Sequence, residues 1–172
     1  MSRPDNVGMT LTSRNPTDTS LAMRHVLAGF PTGIAVIAAH LGGRTVGLSA
    51  NSLVSVSLDP PLVAISFAKT STSWPLLRRA PRWGISILGE DSSDVLTRMR
   101  RPSAERFDGI EMSADGDAAH VVGSLATLTV ELAREIEAGD HVLTLLHVLD
   151  LDRDDEQLPL VFFGSRTHRL SA

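Results

Sequence analysis

Small polar side chains without a charged neighbour are concentrated between residues 49 and 57. Every second position from Ser49 to Ser57 is polar except Leu53, so a strand here presents a face that is mostly hydroxyls and one amide, from Ser49, Asn51, Ser55 and Ser57. Such a face is typical of a site for a ligand rich in hydrogen-bonding groups that lies close to the backbone. A solvated sheet face is the alternative. The opposite positions, every second residue from Leu48 to Leu58, are expected in the core.

A second group of hydroxyls, residues 70–73, directly follows Lys69, the only lysine. Hydroxyls, one ammonium group and the start of a short helix at Trp74 together suit a phosphate. A simple turn with Ser73 as the helix N-cap is the alternative. There is no glycine-rich phosphate loop, which argues against a Rossmann or P-loop site.

Groups for covalent or metal chemistry are scarce. The chain has no cysteine and no tyrosine, so redox chemistry would need a bound cofactor. His141 follows Asp140 at the start of a predicted strand. It is either a surface histidine in a turn or a residue that contacts a ligand. His141 and His147 would lie roughly 20 Å apart on one strand, and no metal site is expected.

Composition narrows the class of protein. A formal net charge of −4 argues against nucleic acid as a main partner. No apolar run approaches a membrane-spanning length, so no membrane association is expected. The absence of cysteine fits a cytoplasmic location.

The elements that would position these groups are mostly strands. Residues 1–18 are polar and predict a flexible N-terminal arm, and residues 19–172 predict one domain. Thr19 or Ser20 would cap a first helix with one apolar face, formed by Met23, Val26, Leu27 and Phe30. Seven or eight strands and two or three short helices, without a βαβ rhythm, favour an antiparallel barrel.

Several boundaries follow from turn chemistry. Gly42-Gly43 predicts a hairpin tip, and residues 45–57 predict a single returning strand, with a bulge near Asn51 as an option. Asp59-Pro60-Pro61 would turn that strand, and residues 101–117 read as a loop.

The chain resembles the flavin reductase family, whose fold is the FMN-binding split barrel. The resemblance covers roughly residues 21–170. Its motifs are FPTGIAVIAA, GLSANSLVSVSLDPPLVAISF, RWGISIL, RFDGIE, GDHVLTLLHV and PLVFFGSRTHRL. It implies a mainly β fold, an antiparallel Greek-key split β-barrel with two or three short helices.

The resemblance also implies an activity. Members are homodimers that bind FMN or FAD and reduce it with NADH or NADPH, and many supply the reduced flavin to a separate monooxygenase. Two further hypotheses stay open: a flavin carrier or redox sensor without turnover, and a flavoenzyme acting on another small molecule. Ser49 and Leu53 depart from the family, which often has Thr and an aromatic residue there.

The resemblance assigns roles to residues of this chain. Ser55 would border the reactive face, His141 would contact nicotinamide, and Arg166 would reach the flavin or the dinucleotide. No side chain is expected to act as acid, base or nucleophile, since the cofactors carry the hydride transfer. The flavin would lie against Pro31, Thr32, Gly33, Ser49, Ala50, Asn51 and Ser52, with its phosphate near Ser66, Phe67, Ala68, Lys69, Ser71, Thr72 and Ser73.

Overall fold

The computed structural model of the chain describes residues 15–170, which contain three helices and eleven strands. The helices are α1 (Pro16–Leu27), α2 (Trp74–Leu77) and α3 (Ser93–Met99). The strands are β1 (Ala35–Leu41), β2 (Arg44–Ala50), β3 (Val54–Leu58), β4 (Pro61–Ala68), β5 (Trp83–Ile87), β6 (Met112–Asp115), β7 (Ala118–Val121), β8 (Ala126–Ala138), β9 (His141–Arg153), β10 (Val161–Phe163) and β11 (Arg166–His168). None of the helices in this range is long and apolar enough to cross a membrane.

One antiparallel sheet of nine strands forms the body of the domain. Its order is β3-β4-β9-β8-β5-β1-β7-β6, and β2 pairs with β1 beside this path. β2 and β4 do not pair, although the ends of both strands line one cavity. We call this unpaired line between β2 and β4 the seam, and it makes the barrel split. The strands β10 and β11 form a separate hairpin.

The first hairpin is confirmed. Residues 35–41 of β1 pair in register with residues 50–44 of β2. Gly42 and Gly43 occupy the tip with φ of 59° and 77°. Two successive positive φ values define the turn type that matches strand twist, and glycine adopts them without steric cost.

The prediction of one strand over residues 45–57 is wrong. The chain leaves the sheet at residues 51–53 and re-enters as β3, an edge strand paired only with β4. The break interrupts the alternation of faces. Val54, Val56 and Leu58, expected in the core, are therefore exposed, with 91% of Leu58 accessible.

Ser52 replaces strand pairing at the seam. The last β3–β4 pair on this side is Val54 with Ala64, so Ser66 has no β3 residue opposite it. The Ser52 hydroxyl accepts from the Ser66 amide at 3.2 Å and lies 3.3 Å from the Ser66 carbonyl, to which it donates. One side chain thus serves the two backbone groups that a strand would otherwise pair.

An aromatic cluster attaches α2 to the sheet beneath the seam. Phe67 of β4 stacks on Trp74 with ring centroids 4.5 Å apart, and both rings meet the edge or face of Trp83. The Trp83 indole N–H donates to the Ala80 carbonyl. This packing holds the 70–73 segment close to the end of β4.

Two further sequence predictions need correction. The expected loop over residues 101–117 contains β6, and β7 follows it across a turn at Gly116, whose φ is 59°. Both strands have only four residues, and their alanines carry little β propensity. The first helix begins at Pro16, where the Asn15 side chain accepts from the Thr17 amide, and not at Thr19 or Ser20. The expected N-terminal arm otherwise lies outside the described residues.

The apolar face expected on α1 is present but uncovered within residues 15–170. No α1 residue is buried, and Leu21, Met23, Val26 and Leu27 are each more than half exposed. Phe30, just beyond the helix, is 69% exposed. Such a patch is typical of an interface.

We predict that Ser52→Ala destabilises the fold by about 1–2 kcal/mol, because the Ser66 amide and carbonyl lose their partner in a partly buried position. Urea unfolding measures the change. Ser55→Ala, at an exposed serine of β3, is the matched control and should stay within about 0.5 kcal/mol of the parent. Equal stabilities of the two variants would contradict the bridging role of Ser52.

Candidate functional site

A cavity of about 430 Å³ opens along the seam. Its walls come from the end of β2, the end of β4, the hydroxyl segment that follows β4, and two residues distant in sequence, Arg106 and His141. We call it the seam cavity. It brings together most of the residues that the resemblance assigned to the flavin: Ser49, Ala50, Asn51, Ser52, Ser66, Phe67, Ala68, Ser71 and Thr72. The Phe67 side chain points into the core, so this residue offers the cavity its backbone.

A larger and more apolar cavity, about 730 Å³, lies on the other side of residues 51–52. Pro31, Thr32 and Gly33 line it, together with Asn51 and Ser52. The three remaining residues of the predicted ring site are therefore next to the seam cavity. The end of α1 and the residues just after it also contribute to this cavity, through Leu27, Ala28 and Phe30.

Two features at Thr32 and Gly33 fit a bound flat ligand. The Thr32 hydroxyl oxygen is buried and has no hydrogen-bond partner within residues 15–170. Its backbone is already held, since the Thr32 amide and carbonyl both pair with Phe162. Apart from its chain neighbours, no atom lies within 4 Å of a Cβ built on Gly33. A buried hydroxyl without a partner is a group that a hydrogen-bonding ligand can complete, and the space at the next residue leaves room for one.

The cation that lines the seam cavity beside the hydroxyl segment is not the one that the sequence predicted. Lys69 forms an ion pair with Glu137 and is not among the cavity residues. Both partners are largely exposed, so the pair itself contributes little. Arg106 lines the cavity instead, near Thr70, Ser71 and Thr72.

The N-cap role expected of the Ser73 hydroxyl is also wrong. The Trp74 amide donates to the Ser71 hydroxyl at 3.2 Å, and the Ser73 hydroxyl accepts from Arg106 Nη1 at 2.9 Å. The helix that follows has only four residues, too few for a sizeable macrodipole. A guanidinium and hydroxyls, rather than a helix terminus, therefore supply the electrostatics for an anion.

Arg106 is the site residue that the sequence did not single out. Its guanidinium donates to the Gly47 carbonyl at 3.3 Å as well as to Ser73, and its Nε donates to the Arg101 carbonyl at 3.1 Å. These contacts aim the charge at the seam. Arg106 is one of several arginines in the chain, and its partners lie up to 59 positions away, so no local pattern marks it.

His141 stands at the rim of the seam cavity, at the first position of β9 opposite Ala68. Its Nδ1 lies 2.8 Å from Asp140 Oδ1. This hydrogen bond lowers the pKa of the Asp140 carboxyl below its usual range, with a further contribution from the histidine charge. Because Nδ1 is engaged by Asp140, Nε2 is the ring nitrogen left for a ligand.

Besides Lys69 and Ser73, two more assigned residues are not among those lining the seam cavity or the apolar cavity. Ser55 is exposed on β3, and Arg166 is exposed on β11, although its neighbour Ser165 lines the apolar cavity. Within residues 15–170, no group of three or more His, Asp or Glu side chains is arranged to hold a metal ion.

Comparisons with known proteins show which family the chain belongs to. The family model described as the flavin reductase like domain matches residues 27–171. The chain is 33% identical to the actinorhodin polyketide dimerase of Streptomyces coelicolor, over 84% of this chain and 82% of that protein. It is 32% identical to the reductase component of the 4-hydroxyphenylacetate 3-monooxygenase of Thermus thermophilus, over 87% of this chain and 95% of that protein.

A solved structure has the same fold. The NADH:FAD oxidoreductase SgcE6 of Streptomyces globisporus C-1027, in complex with NAD and FAD fragments, superposes with a TM-score of 0.84. It is 30% identical, and the match covers 91% of this chain and 95% of that one. The family match includes every residue that lines the seam cavity, and the chain belongs to the flavin reductase like domain family.

Proposed function

We propose that this chain is an NAD(P)H:flavin oxidoreductase that passes a hydride from a nicotinamide dinucleotide to FMN or FAD. The observation that carries the proposal is the seam cavity, where the polar residues of β2 and β4 meet Arg106 and His141. Membership of the family and the names of the relatives support it. The supply of reduced flavin to a separate monooxygenase extends the proposal, as the name of the Thermus thermophilus relative suggests.

The protein's part in this reaction is to bind and orient. The backbone of residues 50–52 and the Thr32 hydroxyl would hold the polar edge of the flavin ring, and Arg106 with Ser71 and Thr72 would hold its phosphate. The flavin, when bound, supplies the hydride acceptor. Donors that are already in place at the ring stabilise the negative charge that grows there on reduction. Holding two rings at reactive distance can lower the barrier by roughly 7–11 kcal/mol.

We also propose that the working unit is a homodimer. The exposed apolar face of α1 continues through Leu27 and Phe30 into the wall of the apolar cavity, where exposed Val54 faces it. A second copy on this patch would cover the apolar side chains and close the cavity. A monomer by analytical ultracentrifugation at micromolar concentration would reject the dimer.

A different activity remains the second candidate. The actinorhodin polyketide dimerase carries a name that is not flavin reduction, although it is as similar to this chain as the named reductases. A chain of that kind would keep a flavin bound and act on another small molecule. A yellow protein on purification favours this candidate or the flavin carrier, and a colourless one favours the reductase.

The reductase proposal is tested by mixing the purified protein with NADH and FMN without oxygen, then repeating with FAD and NADPH. We predict rapid bleaching of the flavin band with an equal loss of NADH. Protein that binds flavin but bleaches none with either dinucleotide would leave the carrier or sensor hypothesis in place.

We predict that His141→Ala raises the Michaelis constant for the dinucleotide about five- to tenfold, the loss expected for one hydrogen bond. The dissociation constant for flavin should stay within about twofold of the parent, because no flavin contact is removed. Steady-state kinetics and flavin fluorescence measure the two quantities.

The matched control is His147→Ala. His147 lies on the same strand, near Glu131, and outside the seam cavity. It should leave both constants unchanged. An unchanged Michaelis constant in His141→Ala would remove His141 from the nicotinamide site.

A further inference from the structure

A third cavity, about 290 Å³, lies behind Arg106. The start of β2 forms one wall, α2 a second, and the loop of residues 103–108 a third. We call it the loop cavity. Its volume is close to the lower end of the range for small-molecule sites. None of the flavin ring contacts proposed above lines it.

Arg106 separates the loop cavity from the seam cavity. The guanidinium lines the seam cavity, and its Nη1 donates to the Gly47 carbonyl and the Ser73 hydroxyl. Gly47 and Ser73 both line the loop cavity. A ligand that extends past the phosphate end of the seam therefore passes Arg106 and reaches the loop cavity.

The loop cavity has the side chains of a nucleoside site. Leu76 and Phe107 give apolar surface for a flat base, and Ser103 and Asp108 give oxygens for ribose hydroxyls or an exocyclic amine. Arg44 is exposed and lines the cavity, where its guanidinium suits a phosphate or a stacked base, and no ion pair within residues 15–170 engages it.

Gly47 lets the Phe107 ring form one wall of the loop cavity. A Cβ at this position would lie 2.9 Å from the Phe107 ring and 2.1 Å from the Ile37 carbonyl oxygen. Glycine thus lets the Phe107 ring rest directly on β2, where it forms the apolar side of the cavity.

We infer that the loop cavity takes the adenosine half of FAD, so that the protein selects FAD over FMN. This inference rests on the proposed function. An adenosine group could also come from the nicotinamide dinucleotide. FAD is favoured because the cavity connects through Arg106 and Ser73, at the phosphate end of the flavin, and His141 is not among its lining residues.

The test is flavin binding by Ser103→Phe, which places an aromatic ring at a residue that lines the cavity. The parent should bind FAD at least about tenfold more tightly than FMN, an advantage of about 1.4 kcal/mol. The variant should lose most of that advantage while its dissociation constant for FMN stays within about twofold. Ser113→Phe, at an exposed serine of β6 outside the cavity, is the control and should change neither constant.

A second variant provides a test if Ser103→Phe fails to fold. Arg44→Gln changes an exposed side chain at the start of β2 and should weaken FAD binding several-fold without affecting FMN. Equal affinities of the parent for FAD and FMN, or equal losses of both in the variants, would overturn the inference.

The source of the adenosine is tested separately, with FMN as the flavin. A raised Michaelis constant for NADH in Ser103→Phe, with FAD affinity unchanged, would assign the cavity to the dinucleotide and overturn the FAD assignment. A parent protein that binds neither flavin would instead refute the proposed function.

Discussion

The candidate site depends on the seam, where the barrel does not close because β2 and β4 do not pair. β4 runs past the end of β3, and the Ser52 hydroxyl pairs with the backbone of Ser66 where the next strand residue would be. Backbone groups need partners, and a side chain that supplies them lets the chain leave the sheet at residues 51–53. The consequence is a seam with a polar cavity on one side and an apolar cavity on the other, with Asn51 and Ser52 common to both.

Hydrogen bonds to the rest of the chain fix the orientation of the Arg106 and His141 side chains at the seam. Arg106 is aimed by three hydrogen bonds to the chain, and Asp140 engages one nitrogen of His141. The Thr32 hydroxyl is buried at the apolar cavity without a partner in the described chain. Groups oriented before a ligand arrives need little reorganisation when charge develops, which suits hydride transfer between two bound cofactors.

The turns and strands that local sequence patterns encode could be predicted from the sequence. The Gly42-Gly43 hairpin and the proline turn after Leu58 follow from turn chemistry. The stretch from Ser49 to Ser52 reached the site through its composition and the family resemblance. The break at residues 51–53 was missed because Ser66, which makes it possible, is 14 positions from Ser52. Arg106 was missed in favour of Lys69 for the same reason, since tertiary contacts alone aim its charge.

The affinities of the protein for FMN and for riboflavin, which differ by the phosphate, test the role of the seam cavity. We expect the parent to prefer FMN, Arg106→Gln to lose this preference by about 10- to 100-fold, and Lys69→Gln to keep it, because a charge-assisted contact is worth about 1.5–3 kcal/mol. Riboflavin affinity should be similar in all three proteins. A preference that survives in Arg106→Gln, or that disappears in Lys69→Gln, would contradict the placement of the flavin phosphate in the seam.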